Sequence, residues 1–131
     1  TGDGGQPQLY AGNRTRLTAR HTLTVGATIL LPVDTGGTWH LSPIFKYKSG
    51  HYFDDDNAAY GGSLHQDGYS LVDLAAGWTS RAGRWAVTLR IENVFDKRYL
   101  IDAGNIGGSF GIPTFVAGSP RRFEFGASYK F

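Results

Sequence analysis

Alternation at a period of two constrains this chain more than any other feature, and it is strictest in the last ten residues. From Arg122 to Phe131, the residues Phe123, Phe125, Ala127, Tyr129 and Phe131 fall on one side of an extended strand, and Glu124, Gly126, Ser128 and Lys130 on the other. Such a strand has one aromatic face and one polar, partly charged face. A terminal segment is often frayed and polar, so this one is expected to close a structure.

Four earlier segments repeat the pattern. Over residues 21–31, Leu23, Val25, Ala27, Ile29 and Leu31 oppose Thr22, Thr24, Gly26 and Thr28. Over 38–48, Trp39, Leu41, Phe45 and Tyr47 alternate with His40, Ser42, Lys46 and Lys48, with Ile44 on the polar side; Pro43, lacking a ladder donor, predicts a bulge. Over 69–79, Val72, Leu74, Ala76 and Trp78 oppose Asp73, Ala75, Gly77 and Thr79, with Leu71 out of pattern. Over 84–95, Trp85, Val87, Leu89, Ile91 and Phe95 oppose Ala86, Thr88, Arg90 and Glu92. Residues 1–20 read as a loop, and no segment reads as a convincing helix.

The connections alternate in length. Turns near 32–37 and 80–83 are short, whereas 49–68 and 96–121 are long, so an up-and-down meander puts both turns at one edge and both long loops at the other. Strands of about ten residues tilted by about 40° rise roughly 25 Å, the height of an outer-membrane apolar band. Trp39, Trp78 and Trp85 lie beside the short turns, where an interfacial girdle would sit, joined by Tyr129 and Phe131. The central charges Lys46, Asp73, Arg90, Glu92 and Glu124 all take the polar side, where Asp73 is expected beside Arg90 or Glu92. The expected fold is therefore all-β: an antiparallel up-and-down meander of about five strands forming the C-terminal segment of a larger transmembrane β-barrel. Five strands are too few to close a barrel, and open edges in lipid cost several kcal/mol for each unpaired group. A soluble antiparallel sandwich with its greasy face inward shares the periodicity and stands as the alternative.

Composition narrows the classes. The chain has 131 residues, a net charge of +2, no Cys, no Met and 19 Gly. Scattered charges give no footprint for nucleic acid, the absence of Cys removes disulfides and thiolate metal sites from this segment, and no apolar run reaches the roughly 18 residues of a membrane helix. Thr1 is not an initiator Met, and no secretory leader is legible, so the chain reads as a mature product or a piece of something longer.

Candidate chemistry is sparse. Asp54-Asp55-Asp56-Asn57 with His51 and His65 offers oxygen and imidazole donors, but calcium-loop spacing is missing, so no metal and no cofactor are expected. Tyr52, Phe53, Asp54 and Tyr60 are candidates for ligand contact from an exposed loop. His21 and His40 lie in strands outside any zinc or nucleophile constellation, and no Gly-x-Ser-x-Gly elbow occurs, so no enzyme activity is expected.

Asn93-Val94-Phe95-Asp96-Lys97-Arg98-Tyr99 resembles a signature at the penultimate strand of the TonB-dependent receptors of Gram-negative outer membranes. Gly118-Ser119-Pro120-Arg121-Arg122 resembles that family's Gly-x-Pro-Arg segment, followed by a last strand ending in Phe, here Phe131. Tyr47, Ser49-Gly50 and Gly68-Tyr69-Ser70-Leu71 are similar to its upstream strands, so the resemblance runs from about residue 20 to the end. It implies that residues 1–131 are the C-terminal part of a receptor barrel importing a scarce nutrient. A ferric siderophore is the first expectation, with haem, cobalamin or carbohydrate as others. Implied partners are outer-membrane lipid, the rest of the barrel, a plug domain absent from this chain, and the TonB complex reached through a missing N-terminal region. Asn93, Phe95, Asp96, Tyr99, Pro120, Arg121 and Phe131 then have structural roles: Asn93 and Asp96 bond local backbone where strand gives way to loop, Pro120 starts a strand without needing a donor, and Phe131 is read during barrel assembly. The competing classes are a soluble carbohydrate-binding β-module and an outer-membrane barrel enzyme whose nucleophile lies elsewhere.

Overall fold

One antiparallel sheet brings the five alternating segments into register. The computed structural model describes residues 10–34, 36–107 and 112–131. The long ribs are β3 (Gly37–Lys48), β6 (Tyr69–Thr79), β7 (Trp85–Glu92) and β10 (Arg122–Tyr129), and the first rib is made of β1 (Thr22–Gly26) and β2 (Ile29–Val33). Their order is that of the sequence, with β1 and β2 both on β3, then β6, β7 and β10, so the meander is up-and-down.

Register decides which faces meet. Leu31 pairs with Trp39, Trp39 with Trp78, Trp78 with Val87 and Val87 with Ala127. Two residues along, Ile29, Leu41, Ala76, Leu89 and Phe125 form the next such row. Because directly opposed residues share a face, all five apolar sets lie on one side and all five polar sets on the other. Nothing among the described residues covers the apolar side: Phe125 is 71% exposed, and Leu23, Val25, Leu31, Trp39 and Trp85 are also open. A sandwich would have laid a second sheet there.

Pro43 does not make the expected bulge. β1 and β2 hold the same register on β3 either side of it, and β3 pairs with β6 without a shift. The Ala27 amide still donates to the Pro43 carbonyl at 3.2 Å, so the missing N–H faces the first rib and splits it into two strands. The strand continues to Val33, leaving a tighter turn in which the Gly36 amide donates to the Val33 carbonyl. The second short turn closes with the Gly83 amide, at φ +68°, donating to the Ser80 carbonyl. β7 ends at Glu92 rather than continuing to Phe95, because Asn93 has φ +52° and turns the chain away. Phe95 is exposed beyond the strand.

Both segments read as loops carry structure. β4 (His51–Tyr52) pairs with β5 (His65–Gln66), and the Phe53 amide donates to the Leu64 carbonyl, continuing the β3–β6 hairpin in its own register past the break at Ser49–Gly50. A single helical turn, α1 (Ala59–Gly62), caps it. The second excursion contains β8 (Leu100–Gly107) paired with β9 (Ile112–Ala117) through two irregularities. Among the described residues, the buried hydrophobic ones lie here: Phe53, Leu64 and Ala103 are 2–4% exposed, with Ala59 and Leu100 packed against them.

Candidate functional site

The loop edge builds one continuous cap from three chain segments. The Arg14 amide donates to Asn57 Oδ1, the Asn57 side-chain amide donates back to the Arg14 carbonyl, and the Arg14 guanidinium donates to the Gly50 carbonyl at 3.1 Å. The Leu17 amide donates to the Tyr52 carbonyl. At the other end, the Leu100 amide donates to Gln66 Oε1 at 2.8 Å, docking β8 onto β5. The sequence marks Asn57 only as part of a run of oxygen donors and does not mark Arg14; aperiodic polar segments carry no signal for which partners they meet.

The acidic run is spent on the backbone. Asp54 Oδ1 accepts the Asp56 amide, Asp56 Oδ1 accepts the Ala58 amide, and Asp55 Oδ1 accepts the Arg16 amide. No cluster of metal-ligating side chains occurs among the described residues. The run still sets a local field: burial first, then the carboxylates of Asp56, Asp54 and Asp55, push the Tyr10 phenol above its usual range.

The ligand-contact candidates separate. Tyr52 keeps the alternation of the polar face and lies under Arg14, whose guanidinium carbon is 5.8 Å from the ring centre. Phe53 points the other way and is 4% exposed, which corrects its assignment to an exposed loop: the continued hairpin turns it into the cap core. Asp54 is half-buried and tied to its turn. The side chain of Tyr60 lies outside the described residues.

The signature segments form a clasp at the base of β8 and β9. Asn93, 4% exposed, donates from Nδ2 to the carbonyls of Lys97 and Ser119 and accepts the Lys97 amide at Oδ1, while its own amide donates to Asp73 Oδ1. Asp96 Oδ1 accepts the Arg121 amide at 2.9 Å. Tyr99 stacks on Tyr69 with ring centres 4.6 Å apart and covers Gly118 so closely that a Cβ there would overlap the ring. Pro120 stands between these contacts with no donor to satisfy. Beside the clasp a cleft of about 640 Å³ opens, lined by Gln66, Lys97, Arg98, Tyr99, Leu100 and Pro120.

On the polar face the charges pair across ribs. Lys46 Nζ is 2.6 Å from Asp73 Oδ2, and Arg122 forks onto Glu92. Asp73 therefore takes its cation from β3, not from Arg90; Arg90 faces Ala75, one diagonal step away, and Glu92 has the same sign as Asp73. The aromatic girdle gathers at the turn edge, with Trp39 by Trp78 and Tyr129 touching both Trp85 and Phe131.

No family model matches the chain, and no curated protein does. Two solved structures resemble it. The ferric yersiniabactin uptake receptor FyuA from Yersinia pestis superposes with a TM-score of 0.78 at 23% identity, over 94% of this chain and 18% of the receptor. The ferric preacinetobactin receptor BauA from Acinetobacter baumannii superposes at 0.69 and 23% identity, over 92% of this chain and 16% of that one. The chain thus spans under a fifth of either receptor. Its fold is that of a stretch of barrel wall in the TonB-dependent receptors that its signature segments resemble.

Proposed function

We propose that the chain is the C-terminal wall of an outer-membrane receptor barrel that imports a ferric siderophore, with energy delivered by TonB through a plug domain N-terminal to this segment. The observation that carries the reading is the sheet itself: five ribs whose apolar sets share one uncovered face and whose charges share the other, with an unpaired edge on each outer rib among the described residues. A lipid-facing wall needs no second layer, and its edges require further strands because unpaired backbone is costly in a bilayer. The two similar structures are receptors for ferric yersiniabactin and ferric preacinetobactin.

In this reading the short turns face the periplasm and the cap faces the exterior. Tyr52, Asp54 and Tyr60 are the contact candidates on the first excursion. Lys97 and Arg98 at the cleft give the second excursion charge to meet an anionic chelate. Asn93, Asp96, Tyr99, Pro120 and Arg121 hold the excursion in place, and Phe131 is the assembly signal. The role is transport, without catalysis.

The test is deletion of the full-length gene, followed by uptake of labelled ferric siderophores, haem and cobalamin. Loss of uptake of one ferric siderophore supports the proposal. Unchanged siderophore uptake with loss of haem or cobalamin uptake would overturn the ligand, and recovery of the protein in the soluble fraction would overturn the barrel.

A further inference from the structure

We propose that His51 is a proton-operated latch of the loop cap: neutral, its buried ring holds the cap segments together, and protonated it leaves the core and lets the cap open. The ring is 1% exposed, and neither nitrogen makes a hydrogen bond of ordinary geometry among the described residues. It packs edge-on against Phe53, a member of the cluster with Leu64 and Ala103, with ring centres 5.0 Å apart. An unpartnered neutral imidazole is tolerable there. An imidazolium enclosed there is not, because the burial penalty of a charge far exceeds that of a neutral polar group.

The charges around it oppose protonation from every side the cap offers. Lys48 stands at the end of β3, His65 on β5, and Arg14 on the N-terminal segment, where it holds the Gly50 carbonyl. The nearby acids are engaged elsewhere: Asp67 lies 3.6 Å from His65, and Asp54 and Asp56 bond their own turn. β8 contributes Ala103 and Leu100, which carry no charge. Burial, and then Lys48, hold the His51 ring below the usual imidazole range; the Ser49 backbone favours the charged ring too weakly to reverse this.

The direction follows from linkage. With the folded value depressed, cap stability is complete above the ordinary histidine range and is lost as pH falls through it, since the open form takes up the proton more readily. Along the chain His51 is flanked by Gly50, whose carbonyl accepts from Arg14, and by Phe53 two residues on, whose amide donates to Leu64. Across the strand pair it faces Gln66, which accepts the Leu100 amide, so its exit disturbs each of these ties.

The experiment is amide hydrogen exchange on the full-length receptor in detergent, compared between about pH 7.5 and about pH 5. Protection factors at Leu17, Phe53 and Leu100 are expected to fall about tenfold per unit of depression in the wild type. In His51→Phe, which keeps a ring and cannot titrate, they are expected to stay level, and His65→Gln is expected to keep most of the wild-type dependence, because His65 ranks below burial and Lys48 in depressing the His51 ring. Equal pH dependence in wild type and His51→Phe overturns the proposal, as does its loss in His65→Gln. Should His51→Phe fail to fold, imidazole NMR on the wild type decides: a His51 ring titrating at or above the ordinary value overturns the latch. The outcome does not depend on which ligand the receptor imports.

Discussion

Phe125 in the sheet and Phe53 in the cap are the same residue type in adjoining parts of the molecule, yet one is 71% exposed and the other 4%. In the sheet, apolar side chains stand in rows with nothing among the described residues over them, and cohesion comes from the ladders and from cross-rib pairs such as Lys46 with Asp73. In the cap, the ladders are short and interrupted, and a small cluster of side chains is enclosed by three chain segments. On the proposed reading, the difference teaches that the apolar sets of the ribs are made for a hydrocarbon solvent, whereas the cap stands in water and must supply its own core.

The largest way to break this comparison is Phe53→Ala. Truncating a buried Phe costs about 3–5 kcal/mol, and the loss should stay in the cap: faster proteolysis and amide exchange over residues 49–68 and in β8 and β9, with barrel assembly in the full receptor unchanged. Failure of assembly would mean that cap and wall fold as one unit. Leu89→Arg is the converse. An arginine on the uncovered face at mid-rib should cost about 2–4 kcal/mol of folding into bilayers, read by denaturant titration in liposomes, while Thr88→Arg on the other face should cost much less. Equal costs at both positions would contradict a lipid-facing wall.

Asn93→Ala probes the joint between the two regions. It leaves the carbonyls of Lys97 and Ser119 and the Lys97 amide without their partner, worth about 1–3 kcal/mol, and puts alanine at φ +52°. Asn93→Gly removes the backbone strain but not the lost bonds, so exchange at the Lys97 amide should recover only in part. The smallest effect is expected at Asp55→Asn, where one exposed 3.2 Å acceptance from the Arg16 amide is weakened; cap stability should move by no more than about 0.5 kcal/mol.

Much of the wall was legible in the sequence because strand alternation acts residue by residue. The sets headed by Leu23, Trp39, Val72, Trp85 and Phe123 could be assigned to one face before any pairing was known, and the observed register places them in common rows. Pro43 was read correctly as a missing donor but wrongly as a bulge. Whether a lost hydrogen bond shifts the register depends on which neighbour it faced, and that neighbour is β1 and β2 rather than β6. The cap was far less legible. His51, Phe53 and Leu64 sit among polar and acidic residues with no period, and the cluster of Phe53 and Leu64 is completed by Ala103 and Leu100 from a segment distant in the chain.

The sequence alone determined the two-faced strands, the alternation of short and long connections and the girdle at the turn edge, because each is a local pattern of side chains along an extended backbone. Tertiary structure alone decided that β4 and β5 prolong a hairpin, that the acidic run bonds backbone instead of standing free, and that a histidine is sealed beside Phe53. Those outcomes depend on which surfaces meet across tens of residues, and burial belongs to such meetings rather than to any one stretch of chain.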